Sequence, residues 1–228
     1  MEPVENDQTC WTLIRDAAGG AREARTLFAQ RYLPVVKAYL GARWRRSPLL
    51  GEIDDAVQEF FVDCFRPGGV LERALPGGGG FRAFLFGVAR TVALHFETRR
   101  AREAERRGES TVEPDGIVSD EESLSRVFDR AWARAVMREA RELQQARARL
   151  EGEAALRRVE LLRLRFEEGM PVRDIAALWS DDADRVHREY AHARREFRDA
   201  LATIVRQHGN GVPTGVEAEC ARLIELLR

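Results

Sequence analysis

The sequence predicts an all-α protein built from two helical domains joined by an acidic, flexible linker. Three observations predict it. Apolar residues recur at three- and four-residue steps through most of the 228-residue chain, and no stretch alternates with period two. Hydrophobic residues make up 44% and charged residues 33%, a balance that suits amphipathic helices around ordinary cores. The helical pattern lapses once, from Gly108 to Glu122. There Gly108, Pro114 and Gly116 interrupt the chain, and Glu109, Glu113, Asp115, Asp120, Glu121 and Glu122 make it acidic. Domains are therefore expected over 9–107 and 124–207, with a linker over 108–123 and a C-terminal helical extension over 208–228.

Taken in order, Thr9 can cap a short helix carrying Trp11, Leu13 and Ile14, which Gly19-Gly20 ends. A long helix from about Arg22 to Arg45 presents Leu27, Phe28, Tyr32, Val35, Val36, Tyr39 and Leu40 as one stripe. Pro34 lies inside it, where a kink is expected, and Ser47-Pro48 breaks it. A third helix, about Glu52 to Phe65, reads DDAVQEFFVDCF after its first turn and ends at Arg66-Pro67-Gly68-Gly69. A short helical piece holds Val70, Leu71 and Leu75, and Gly77 to Gly80 form a GGGG break. The next helix runs to about Arg107, with Phe81, Phe84, Leu85, Val88, Val92 and Phe96 at helical spacing and a basic end at Arg99, Arg100 and Arg102.

Beyond the linker, Leu124, Val127, Phe128, Ala131, Trp132 and Ala135 form a stripe on a helix that continues to about Leu150 through good helix formers. Another helix spans about Glu153 to Glu168 and carries Leu156, Val159, Leu162 and Phe166, with Gly169 as its stop. Pro171 starts the short helix VRDIAALW. After Ser180-Asp181-Asp182 a long helix extends to about His208, and Val216, Cys220, Leu223, Ile224 and Leu227 mark a last one.

The composition narrows the function classes. Net charge is -1, so any nucleic-acid binding must rest on how charge is distributed. Lys37 is the only lysine; a GC-rich coding sequence suffices to explain this, yet arginine supplies forked donors suited to phosphates and guanine edges. Cys10, Cys64 and Cys220 form no CxxC pair and no zinc spacing. With the polar start MEPVENDQ and no apolar run near the roughly 18 residues that cross a bilayer, a reduced, cytoplasmic protein is expected.

Two segments carry basic faces. On the last long helix, Val186, Tyr190, Ala193, Phe197, Leu201 and Ile204 share one face, and Arg185, Arg188, His192 and Arg195 lie nearly opposite. Short helix, tight turn and long two-faced helix make a helix-turn-helix pattern, although alone it equally describes an ordinary surface helix. The stretch Thr98 to Arg107 is a second basic patch, beside a glycine-rich loop and aromatics of the kind that stack on unpaired bases. Asp55, Gln58 and Glu59 face one outward side of their helix, with Val57, Phe60, Phe61 and Cys64 turned elsewhere; this suits a protein-docking face or a solvated one. No histidine or metal-ligand spacing accompanies these carboxylates, and GGGG lacks the strand and GK[ST] ending of a phosphate loop. No catalytic set, metal or cofactor is expected.

At these residues the chain resembles a family. DDAVQEFFVDCF is similar to region 2.2 of bacterial sigma-70 family factors, and FRAFLFGVARTVALHFETRRAR to their regions 2.3 and 2.4. The stretch from VELLRLRFEEGMPVRDIAALW through DDADRVHREYAHARREFRDAL resembles region 4. The layout without a region 3 resembles the extracytoplasmic-function (ECF) group, and the GGFRAFLFGVART and DRAWARAVM wording is closest to ECF groups abundant in planctomycetes. The resemblance covers about residues 10 to 207 and implies a non-catalytic specificity subunit of RNA polymerase.

It further implies that Asp54, Asp55, Val57, Gln58 and Phe61 dock on the β′ clamp helices of core RNA polymerase. Phe81, Arg82 and Phe84 would sit at the −10 element, with Arg90, His95, Arg99 and Arg100 facing DNA just upstream. Arg185, His187, Arg188 and His192 would enter the −35 major groove, with Arg194 and Arg195 near phosphates. The partners implied are core polymerase (clamp helices and β flap), promoter DNA and an anti-sigma or other regulator, with no membrane. One departure stands out. Ser180 and Asp181 occupy the turn positions where the family usually carries glycine and an apolar residue, so looser packing of the turn is expected. Two other readings fit: a sigma-like polymerase-binding regulator with degenerate −35 reading, and a stand-alone helix-turn-helix regulator.

Overall fold

Each long stretch read as helical is helical in the computed structural model, which describes residues 10–74, 80–108, 116–208 and 215–227. The helices are α1 (Cys10–Ala18), α2 (Arg22–Arg43), α3 (Ile53–Phe65), α4 (Gly80–Arg106), α5 (Glu121–Glu151), α6 (Glu153–Phe166), α7 (Val172–Leu178), α8 (Ala183–His208) and α9 (Val216–Glu225). Short 3-10 turns occupy Pro48–Glu52 and Val70–Arg73. The protein is all-α: among the described residues there are nine α-helices and no strand. The Thr9 cap, Leu75, most of the GGGG break, linker residues 109–115 and the Gly209–Pro213 break lie outside the described residues.

The residues fall into two units, divided between Ala135 and Val136 within α5. Of the described residues, the first also takes in 207–208 and 221–227, and the second 215–220.

In the first unit α2 is the central element. Its Phe28, Tyr32, Val35, Val36, Tyr39 and Leu40 are all closed to solvent, and the helix runs on through Pro34. Rings close round this stripe. Phe28 meets Tyr32, Phe61, Phe65 and Phe81 edge-on, and Tyr32 stacks on Trp132 at 5.8 Å. Each such pair contributes about 0.5–1.5 kcal/mol beyond its buried area. Arg25 ties helix ends together by donating to the carbonyls of Ala17 (2.9 Å) and Phe65 (2.8 Å), where backbone acceptors would otherwise lack partners.

A charged network seals the other end of α2. Arg43, 5% exposed, donates twice to Glu97 of α4 (2.6 and 3.0 Å), and the Trp44 indole donates to the same carboxylate at 2.8 Å. A buried cation is tolerated only with such complete pairing. Beside it, the segment entering α5 lies close against the end of α2. The Val118 amide donates to the Arg43 carbonyl at 2.8 Å. Gly116, at φ 77°, comes so near the Arg46 backbone that a β-carbon there would stand 2.1 Å from its oxygen. Asp120 then caps α5 by accepting from the amides of Glu122 and Ser123, each at 3.1 Å. Leu124, Phe128 and Trp132, read from the sequence as the start of the second block, are buried within this first unit.

The second unit comprises the rest of α5, α6, α7 and most of α8. Its core gathers Leu161 and Leu164 of α6, Val172, Ile175 and Ala176 of α7 and Val186 of α8, with Met170, Trp179 and Tyr190 packed round them. The buried Gln144 donates to the Ala193 carbonyl at 3.3 Å, fixing α5 against α8.

Candidate polymerase and nucleic-acid interfaces

Three surfaces hold the residues singled out by sequence. On α3, Asp54, Asp55 and Gln58 are exposed, Phe61 is half-buried and Val57 is buried. Asp54 pairs with Lys37 at 2.8 Å, whereas Asp55 and Gln58 point to solvent. One turn beyond Gln58, on the same outward side, lies Val62, 56% exposed. The sequence reading passed over it; its place one turn beyond Gln58 and Glu59 on the polar side was the available signal. Phe61 turns inward, edge-on to Phe28 and Phe60. The exposed face is therefore Asp55, Gln58 and Val62, with Glu59 half-buried at its edge beside His95 and with Val57 and Phe61 supporting it from beneath.

On α4 the −10 candidates divide. Phe81 is fully buried, in ring contact with Trp11, Phe28, Tyr32 and Trp132, so its side chain is closed to DNA in this arrangement. Phe84, half-buried, stacks on Phe81 at 5.8 Å. Each basic candidate on this helix faces a carboxylate. Arg82 is paired with Asp129 of α5, and Arg90 donates to Glu121 of α5 at 3.1 Å. His95 shares a hydrogen bond with Glu59 of α3 at 2.8 Å. Arg99 donates to Glu52 at 3.2 Å, and Arg100 lies 3.8 Å from the same side chain. Arg99 also lies over the Phe96 ring, 4.4 Å from its centre.

In the second unit the α7–turn–α8 geometry comes from backbone hydrogen bonds. The Ser180 amide donates to Ala177 (3.1 Å) and the Asp181 amide to Ala176 (2.9 Å), the paired bonds of a Schellman turn. Ser180 is at φ 51°, the left-handed conformation that favours glycine. Asp181 takes the place of the apolar residue that commonly packs back on the helix, and the turn is held by charge instead. Arg157 of α6 pairs with Asp181, donates to Glu189 at 3.0 Å and lies over the Trp179 ring at 4.3 Å. The Asp182 amide donating to Asp181, with Arg185 and Arg157 beside it, holds the Asp181 carboxyl below the usual carboxylate range. Asp182 caps α8 by accepting from the Arg185 amide at 2.8 Å. The looser turn expected from Ser180-Asp181 is thus replaced by a turn fixed through Arg157, a residue the sequence reading did not single out.

Along α8, Val186 and Ala193 are buried, and Arg185, His187, Arg188, His192, Arg194 and Arg195 are exposed. Arg185 lies 3.8 Å from Asp181 and 3.5 Å from Glu189, and His192 lies 3.1 Å from Glu196. Glu196 is also bound by Arg158, whose proton it holds more firmly than usual. Arg194 sits over Tyr190 at 5.7 Å. His187, Arg188 and Arg195 are the members of the set whose side chains remain open to an incoming ligand.

Among the described residues no cluster of histidine, cysteine and carboxylate could hold a metal ion, and no helix is long and apolar enough to cross a membrane. Burial pushes the Cys64 thiol far above its ordinary range, so it carries no thiolate at neutral pH. Set beside known proteins, the chain matches no family model, and no curated protein is similar enough to count as a relative.

Proposed function

We propose that this chain is an alternative sigma factor of the ECF type: a non-catalytic, cytoplasmic subunit that binds core RNA polymerase, recognises −35 and −10 promoter elements and helps open DNA. The observation that carries the reading is the outward face of α3. It sets the exposed apolar Val62 among Asp55, Gln58 and Glu59, in the same unit as the arginine-bearing α4. An apolar centre with a polar rim is the anatomy of a protein-docking surface, and the clamp helices of β′ are its proposed partner. Phe84, Arg82, Arg90, His95, Arg99 and Arg100 are the proposed −10 set, with Phe81 supporting them from the core. On α8, Arg188, His187 and Arg195 read the −35 groove, with Arg185, His192 and Arg194 around them. In the second unit, exposed Phe166 and Leu178 offer apolar surface of the kind the β flap would cover.

The experiment is a core-binding titration by fluorescence anisotropy. Gln58→Ala and Val62→Glu, both solvent-facing, are expected to weaken binding to core polymerase at least ten-fold while leaving melting unchanged. Unaltered affinity in both variants counts against the assignment.

A second reading is a polymerase-binding regulator whose −35 reading is degenerate. It is favoured by the carboxylates Asp181, Glu189 and Glu196, which occupy Arg185 and His192. Transcription indifferent to the −35 sequence distinguishes it from the first.

A further inference from the structure

The basic side chains of α4 and the carboxylates of α5 meet in a pattern that surface ion pairing alone does not require. Glu121 is a double acceptor: its Oε1 takes a hydrogen bond from Arg90 at 3.1 Å and one from the buried Arg43 at 3.2 Å. Asp129, two turns further along α5 and only 16% exposed, takes Arg82 on one oxygen and lies 3.8 Å from Arg222 on the other. Between these two carboxylates Phe128 is fully buried against Tyr39 and Phe86. The segment is led into place by the close approach of Gly116 to Arg46 and by the Val118–Arg43 hydrogen bond. Two carboxylates therefore sit where backbone phosphates would sit if Arg82 and Arg90 were gripping nucleic acid, and an apolar anchor holds them there.

We infer that Glu121 and Asp129, on the first half of α5, form an internal latch whose carboxylates occupy the nucleic-acid-binding side chains of α4 in the free protein and must release them before Arg82 and Arg90 can contact DNA. The inference rests on the reading of α4 as a DNA-facing helix and adds a regulatory step to it. Its energetic logic is competition. A bound carboxylate lowers apparent affinity by the fraction of time it holds the arginine, and removing it restores that fraction. The hydrogen bond from the buried Arg43 to the half-exposed Glu121 ties the latch to α2.

The test is anisotropy titration of a labelled, mixed-sequence single-stranded 20-mer with the full chain, E121Q/D129N and R82A/R90A, at low salt. The latch predicts that E121Q/D129N binds roughly ten-fold more tightly than the unaltered chain, and that adding R82A/R90A erases the gain. D129N alone, which leaves the Arg43–Glu121 tie intact and so protects folding, is expected to gain about three-fold. Equal affinity of the unaltered chain, D129N and E121Q/D129N, with binding lost in R82A/R90A, leaves the DNA-facing reading standing and overturns the latch. Binding that is absent throughout, or indifferent to R82A/R90A, overturns the reading of α4 itself and the latch with it.

Discussion

Arg157 clamps Asp181 across the turn between α7 and α8 while lying over the Trp179 ring, 4.3 Å from its centre. One guanidinium thereby joins α6, the turn and, through Glu189, the first turns of α8. Arg157→Ala is expected to destabilise the second unit by about 1–2 kcal/mol, a value reduced because Arg157 is a third exposed. Denaturant unfolding checks it.

The same turn has a pH signature. Because its neighbours favour the ionised form, Asp181 contributes stability that is fully present above its ordinary pKa of 3.8 and is lost as pH falls through its lower folded value. Asp181→Asn is therefore expected to lower the melting temperature at neutral pH. The gap between variant and parent closes in strong acid, where both side chains are neutral. A gap independent of pH would show that charge is not what holds the turn.

Ser180 adopts φ 51° without glycine's freedom. Ser180→Gly removes the crowding of its β-carbon, offset in part by a floppier unfolded chain, and is expected to stabilise the unit by about 0.5–1 kcal/mol. The midpoint of urea unfolding measures it.

Glu97 accepts from both Arg43 and Trp44 in a nearly closed site. Glu97→Ala leaves the buried Arg43 with Glu121 as its remaining carboxylate partner and takes the acceptor from the Trp44 indole, and is expected to cost about 3–5 kcal/mol. Phe81→Ala opens a cavity among Trp11, Phe28, Tyr32 and Trp132 at a similar cost of about 3–5 kcal/mol. If Phe81→Ala instead melts like the parent while losing DNA, Phe81 serves DNA directly and the core role assigned to it fails.

On α8 the arginines are not equivalent. Arg188 stands open, whereas Arg185 already faces Asp181 and Glu189. Arg188→Ala is expected to weaken binding to a duplex bearing the −35 element by roughly 1–3 kcal/mol, and Arg185→Ala by less. Electrophoretic mobility shifts with matched and scrambled duplexes compare the two.

The helices were legible because their apolar residues keep a steady period. Most of the stripes on α2 and α8 is buried as their spacing demands, with Leu27, Tyr190 and Phe197 half-buried, and α3 ends two residues before Pro67 while α7 starts right after Pro171. Spacing gave no hint of what lies across a helix. Phe81 and Phe84 read alike in sequence, yet only Phe81 meets the Trp11–Phe28–Trp132 cluster, whose members come from three distant segments. The acidic character near Glu121 read as linker, because nothing local reveals that Glu121 would find Arg43, 78 residues away. The Ser180-Asp181 departure read as a loosened turn for the same reason: its compensation, Arg157, stands on another helix.

The role proposed for this chain is to direct core RNA polymerase to promoters. Run-off transcription with core polymerase from the source organism, with and without the protein, on templates randomised at the −35 and −10 segments tests it most directly. Transcripts that appear only with the protein and share both elements are expected. Tight core binding without any protein-dependent transcript would contradict it.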